Sequence, residues 1–518
     1  MRKRFGLVAV IAAIALLVGA PVVSTGGASP GDTKRYLVVF SGDYAVDSTY
    51  AVGGGYAVLC NYAVASGYAV GCNYAVGSGY AVAHDYAVSL VTAAGGTVAN
   101  DMLNQIGVLA VDSSNALFAD LMRTYAVVQE VGQDFAASRV PDGGPEQTAD
   151  PMEALQWGMK QIQAPEAHAI QAGARSVQVG ILDTGIDGAH LDFKDDPANP
   201  LSPSNVDCAN GRNSITFVPD GGPGVGVEDP CIDNGFHGTH VAGIVGAQAN
   251  GHGVVGVAPN VTLIPVKVCD SSGYCYASAV VDGITYAGDK KFEVINMSFF
   301  VDDDTFQVST EFKCMDDPQQ RAFRRAVERA IQYARTQGVV PVAALGNSDQ
   351  DLAQPVNKDT GEDIPNSCEV VPAESAGVIG TAALGSSKQK ASYSNYGTGA
   401  ADVTAPGGTS TGNPATGVYS TFPGNTWAAI SGTSMASPHT AGVAALIVSQ
   451  FGTLGADGDV KLSPTAAESI LQGTAVDQGL TGYDKCFGHG RINALRAVQK
   501  QTGNAYDAVA PFCPEYQE

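Results

Sequence analysis

The chain has 518 residues, of which 45% are hydrophobic and 15% charged, and its formal net charge is −23. This is a folding composition with room for more than one domain, not a disordered one. It lacks the basic footprint that nucleic-acid binding requires, so nucleic acid is excluded as a partner.

Met1 to Arg4 is a charged start, Phe5 to Val18 an apolar run, and small residues follow to Ala28. That layout predicts an export signal over residues 1–28, cleaved near Ala28, and hence a secreted, extracellular protein. The run is short for a spanning helix, and no later stretch has the roughly 18 uninterrupted apolar residues one needs. No stable membrane association is expected. Ten cysteines suit an oxidising compartment. None forms CxxC, which removes the zinc-ribbon and thioredoxin-type readings. The last eight fall into sequence neighbours, giving the expected pairs Cys208–Cys231, Cys269–Cys275, Cys314–Cys368 and Cys486–Cys513.

Arg35 to Phe40 reads as a strand of β-branched and aromatic residues. Eight YAV units then recur every six residues between Tyr44 and Val88. Six is a multiple of two, so in an extended chain Tyr and Val of every unit would share a face. The stretch 44–88 is read as a low-complexity insertion. Ser89 to Ala94 ends a helix at Gly95–Gly96, Gln105 to Val111 is a strand, Asn115 to Met122 a helix and Tyr125 to Val131 a strand. Residues 35–134 thus form a small α+β unit. Residues 135–150 are rich in Pro, Gly, Asp and Ser and read as an exposed linker.

From residue 151 to about 500 the texture changes. "VQVGILDTGID", "VTLIPVKVCD", "FEVINMSFF" and "VVPVAALGN" are near-continuous apolar runs, as strands buried on both faces require. Arg321 to Gly338 places Phe323, Val327, Ala330, Ile331 and Ala334 at helical spacing. The alternation predicts an α/β domain with a parallel sheet, its site at the carboxyl ends of the strands. Residues 501–518 are a C-terminal extension.

Three places hold chemistry. Asp183 ends an apolar strand, His237 and His240 precede a helix of small residues, and Ser434 stands just before another. Singly, these read as a turn residue, a loop residue and a cap. Together they are what acyl transfer needs: a serine nucleophile, an imidazole to take its proton and a carboxylate to hold the imidazole. His237–His240 is not the H-E-x-x-H spacing of a zinc protease, and Gly251-x-Gly253-x-x-Gly256 does not follow a strand, so neither motif is pursued.

"DTGID", "HGTHVAGIV", "INMSF", "AALGN" and "GTSMASPHTAGVAAL" stand in one order along the chain. In these words residues 153–498 strongly resemble the subtilisin-like serine proteases, the subtilase family. The resemblance implies a three-layer fold around a parallel sheet, with Asp183 orienting His237, His237 as general base, His240 structural, Asn347 donating to the oxyanion and Ser434 as nucleophile. Substrate would lie extended near Ser298. There the usual Leu-Gly-Gly is replaced by Phe299-Phe300-Val301, so the side chain preferred before the cut is open. The resemblance also implies a structural Ca²⁺, held by Asp192, Asn250, carbonyls of Gln248, His252 and Val254, and Glu153.

Residues 35–134 resemble, more loosely, the inhibitory propeptide that precedes many subtilases. The implied protein is a self-processing zymogen, an endopeptidase acting on polypeptides, inhibited by its own propeptide and monomeric when mature. A dedicated leader peptidase is an alternative reading. An inactive binding or display protein is another, disfavoured by the complete Asp-His-Asn-Ser set.

Overall fold

The computed structural model describes residues 33–41, 49–51, 63–64, 68–72, 84–134, 136–139, 147–148, 153–199, 201–216, 228–299, 312–357, 360–365, 367–455, 458–507 and 513. The expected export signal, Phe300–Val301 and most of the YAV stretch lie outside them. Within that stretch, Tyr68–Cys72 pairs antiparallel with Thr49–Ala51 and with Ala63–Val64.

The first unit is a four-stranded antiparallel sheet. Its strands are β1 (Lys34–Phe40), β2 (Gly96–Met102), β3 (Val108–Ser113) and β4 (Val128–Gln133), in the order β2-β3-β1-β4. Helix α1 (His84–Ala93) precedes β2. Sequence reading missed β2. "GTVANDM" carries Gly, Asn and Asp, which disfavour strands, and it alternates between exposed and half-buried at the sheet edge. Gln105 and Ile106, expected in a strand, close a short helix that Gly107 ends at φ 69°. The continuous apolar run of β1 has a plain cause. Tyr36, Val38 and Phe40 face the unit's own helices, packing on Leu90, Val91, Phe118 and Met122. Leu37 and Val39 face the other way, into a core shared with Phe323 and Val327 of the second domain. The period-two pattern thus buries one face of β1 against each domain.

The second domain is built on seven strands: β5 (Gln178–Asp183), β6 (Arg212–Asn213), β7 (Thr262–Lys267), β8 (Val294–Met297), β9 (Val340–Ala344), β10 (Ile379–Leu384) and β11 (Val403–Pro406). Their order is β6-β7-β5-β8-β9-β10-β11, and every pairing is parallel. Helices α2 (His237–Gly246) and α5 (Thr433–Phe451) contribute to the core on one face. Helices α3 (Ala277–Lys290) and α4 (Pro318–Thr336) contribute to the core on the other, completing three layers. The five apolar positions predicted to line α4 are all buried, and Asp317 caps it by accepting from the N–H groups of Gln319 and Gln320. Disulfides join Cys208–Cys231, Cys269–Cys275, Cys314–Cys368 and Cys486–Cys513.

The segment 135–150, read as an exposed linker, is partly paired. Ala136–Arg139 runs antiparallel to the strand Tyr274–Tyr276, and Gln147–Thr148 to Trp427–Ala428. Unpaired main-chain edges on the second domain capture polar, turn-rich sequence that has no strand signal of its own.

Candidate active site

The chemistry gathers at the carboxyl end of the sheet. Asp183 is the last residue of β5, and His237 opens α2. Nδ1 of His237 lies 2.9 Å from both carboxylate oxygens of Asp183. That contact puts the proton on Nδ1 and leaves Nε2 able to accept one. His237 Nε2 is buried and has no hydrogen-bond partner among the described residues. The main-chain N–H of Thr184 also donates to Asp183 Oδ1, at 2.8 Å.

Ser434 is the second residue of α5, where the helix N-terminus favours negative charge. Its hydroxyl donates to the carbonyl of Ser298 at 3.1 Å rather than to His237. The serine–histidine contact is therefore not made in this rotamer. Four residues on, Pro438 lies inside α5 and has no N–H to give to the Ser434 carbonyl. Ser298 Oγ fills that gap, donating to Ser434 O at 2.8 Å. Asn296 Nδ2 in turn donates to Ser298 Oγ, and Ser437 Oγ donates to Asn296 Oδ1. A chain of hydrogen bonds thus locks the start of α5 to the end of β8. Sequence reading did not foresee it, although a proline four residues after the serine was a visible signal. Phe299, at the first of the three positions where the chain departs from Leu-Gly-Gly, is buried, 3% exposed.

Asn347 follows β9. Its Oδ1 accepts from the N–H and the hydroxyl of Thr433, at 2.8 and 2.9 Å. Both donors fix the amide's orientation and leave Nδ2 as a donor beside Gly432.

Two other histidines, His240 and His439, are buried. His240 Nε2 sits 3.1 Å from the carbonyls of Val418 and Ala428 and ties α2 to the hairpin that leads into α5. Burial pushes its pKa down to about 3, so it stays neutral. His439 is buried with its pKa lowered to about 4.

The residues expected to hold calcium cluster together. Asp192 is fully buried, and burial raises its pKa to about 7. Its Oδ2 accepts from Trp427 Nε1 at 2.6 Å and Val254 N at 2.9 Å, while Oδ1 is buried and has no partner among the described residues. Asn250 Oδ1 accepts from His252 N, and Asn250 Nδ2 donates to the Leu191 and Lys194 carbonyls. Among the described residues no hydrogen bond reaches the main-chain oxygens of Gln248, His252 or Val254. An orphaned carboxylate oxygen beside unclaimed carbonyls is an oxygen donor set that fits Ca²⁺. Trp427 is a neighbour that sequence reading did not find. The side chain of Glu153 lies outside the described residues.

A carboxylate, an imidazole and a helix-terminal serine on such a sheet define a serine protease of the subtilisin type. Residues 174–490 match the model of the subtilase family, and the chain belongs to that family. Subtilisin DY of Bacillus licheniformis is 35% identical over 343 residues, covering 66% of this chain and 98% of that protein. Subtilisin E of Bacillus subtilis (strain 168) is 32% identical over 348 residues, covering 67% of this chain and 72% of that protein. Among solved structures, an epidermin leader peptide processing serine protease of Staphylococcus aureus has a TM-score of 0.66. It is 18% identical and covers 92% of this chain and 100% of its own. A lanthipeptide protease has a TM-score of 0.52 at 26% identity, covering 68% of this chain and 95% of its own.

Proposed function

We propose that the protein is a secreted serine endopeptidase, made as a self-processing zymogen. The observation that carries this reading is the 2.9 Å contact of His237 Nδ1 with Asp183, beside a serine at the N-terminus of α5. In the proposed cycle Ser434 turns from the Ser298 carbonyl to His237 Nε2 and gives up its proton there. Its oxygen attacks the substrate carbonyl, and Asn347 Nδ2 with the Ser434 N–H receives the oxyanion. His237 returns the proton to the leaving amine, and water then hydrolyses the acyl-enzyme by the same steps. Asp183 keeps the imidazole in its working tautomer throughout.

Several contacts support the zymogen part. Asp134 accepts from the N–H of Ser278 at 3.0 Å and from its hydroxyl, supplying a cap that α3 otherwise lacks. Glu130 of β4 pairs with Arg321 and Arg325 of α4, at 2.7 and 3.1 Å. Arg329 donates to the carbonyl of Phe40 and to Gln129. The segment that follows is paired first to Tyr274–Tyr276 and then to Trp427–Ala428. In this reading residues 35–134 fold against α3 and α4, and the next residues cross the catalytic groups and are cut there. The residues up to 28 are removed on export, and the mature enzyme is a monomer. No helix among the described residues is long and apolar enough to cross a membrane.

A structural Ca²⁺ belongs to the same reading, held by Asp192, Asn250 and the carbonyls of Gln248, His252 and Val254. When bound it supplies positive charge that compensates the buried Asp192 carboxylate. The likeness to a lanthipeptide protease favours a narrower role, processing of one dedicated peptide, and removal of its leader is the form we propose. Labelling of the purified protein by a serine-directed fluorophosphonate tests the core reading. Wild type should label and Ser434→Ala should not; an unlabelled wild type would leave an inactive binding protein. Cleavage of one leader-bearing peptide but not of denatured casein would select the narrower role.

A further inference from the structure

The catalytic dyad stands on a second buried carboxylate, Asp233, which is 6% exposed. Its Oδ1 accepts from the hydroxyl of Thr184 at 2.8 Å and the N–H of Gly235 at 2.9 Å. Its Oδ2 accepts from the N–H and hydroxyl of Thr239, at 2.8 and 2.6 Å. Both hydroxyls are already engaged as acceptors. Thr184 Oγ1 takes the N–H of Gly238, and Thr239 Oγ1 takes the N–H of Asp187. Each has one hydrogen to give, and it points at Asp233. Four donors and, among the described residues, no acceptor suit an ionised carboxylate, because a protonated acid or an amide would set one hydrogen against another. Burial raises the Asp233 pKa, with the nearby Asp183 charge adding to it, and the donors work the other way.

The partners of this carboxylate are the residues that frame the dyad. Thr184 is next to Asp183 in the chain, and its carbonyl is held from the other side by Lys267 Nζ at 2.9 Å. Gly235 and Thr239 bracket His237. Between them Phe236 adopts φ 62°, ψ −32°, a conformation that costs a non-glycine residue about 1–3 kcal/mol and persists only when its surroundings enforce it. A cap alone would be served by Ser or Thr without burying a charge.

We propose that Asp233 is a positioning residue, whose carboxylate clamps the Asp183–Thr184 turn to the strained Phe236–His237 turn and so sets the 2.9 Å contact between carboxylate and imidazole. The proposal rests on the serine-protease reading above. Misplacing a reacting group by about 1 Å can cost on the order of 10²-fold in rate, so the clamp acts on turnover and not on substrate binding.

The test is steady-state kinetics on a chromogenic peptide, with thermal melting and fluorophosphonate labelling, for wild type, Asp233→Asn, Thr184→Val and Thr184→Ser. Asp233→Asn should lower kcat roughly 10- to 100-fold and leave KM within about twofold. Thr184→Val, which removes one of the four donors, should lose kcat in the same way, and Thr184→Ser should restore most of it. Wild-type kcat in Asp233→Asn, a rise in KM matching the fall in kcat, or equal activity in the Val and Ser variants would each overturn the proposal. If Asp233→Asn does not fold, the Val/Ser pair decides alone. Failure of wild type itself to label would instead sink the serine-protease reading.

Discussion

Asp192 gives the most quantitative prediction, because its two states differ in charge inside a closed core. Its folded pKa is about 7 in the cation-free protein, against 3.8 for the ordinary side chain. The group holds its proton more tightly when folded, so its contribution to stability is full below about pH 4 and is lost as pH rises through 7. The difference, 7 − 3.8 or about 3 units, corresponds to roughly 4 kcal/mol in all, at about 1.36 kcal/mol per unit. Between pH 5 and 8 some 2–3 kcal/mol of that should disappear, lowering Tm by on the order of 5 °C. Bound Ca²⁺ takes the place of the proton, so its stabilisation must grow over the same interval. Glu293 and Asp402 are also raised to about 7 by burial and give a background of the same sign. The informative quantity is therefore the gap between melting curves in calcium and in chelator. The assay is a Tm series from pH 5 to 8 on the Ser434→Ala protein, which cannot digest itself, with and without Asp192→Asn. The gap should widen with pH in the parent and vanish in Asp192→Asn. A gap independent of pH, or one that survives in Asp192→Asn, would refute the reasoning, and no gap at all would remove calcium from the protein.

Asn347→Ala should fold normally and lose about 10²–10³ in kcat, the range established for this donor within the family; wild-type turnover on a chromogenic peptide would contradict the oxyanion role. Ser434→Ala, expressed in a protease-free host, should accumulate as a precursor uncut between residues 135 and 150, read by intact mass, and normal processing there would rule out self-cleavage. Glu130→Gln should loosen the first unit by about 2 kcal/mol and shorten the lag before activity appears, since it removes the negative charge that Arg321 and Arg325 share. An unchanged lag would place the restraint elsewhere.

Much of the site was legible because its words are local. Asp183 at the end of an apolar strand, and His237 and Ser434 at helix starts, are positions that neighbouring residues define, and the helix spacing of Arg321 to Thr336 translated directly into α4. What could not be read were pairings across long gaps in the chain. The strand Gly96–Met102 exists because β3 offers it an edge, not because its residues favour extension. Ser298 and Ser434 exchange hydrogen bonds across 136 residues, and Trp427 reaches Asp192 across 235.

The sequence by itself determined the family and the fold class, because hydrophobic period and motif order are properties of the chain alone. Only the tertiary structure decided how these parts are held. It turned the Ser434 hydroxyl to Ser298 rather than to His237, enclosed Asp233 in four donors, left one oxygen of Asp192 without a partner among the described residues and buried the second face of β1 against α4. The physical reason is common to the first three, and the packing that buries β1 sets its terms. Burial makes every polar atom find a partner or bear the cost of having none, and which partner lies within about 3 Å is settled by packing between segments that the sequence keeps far apart.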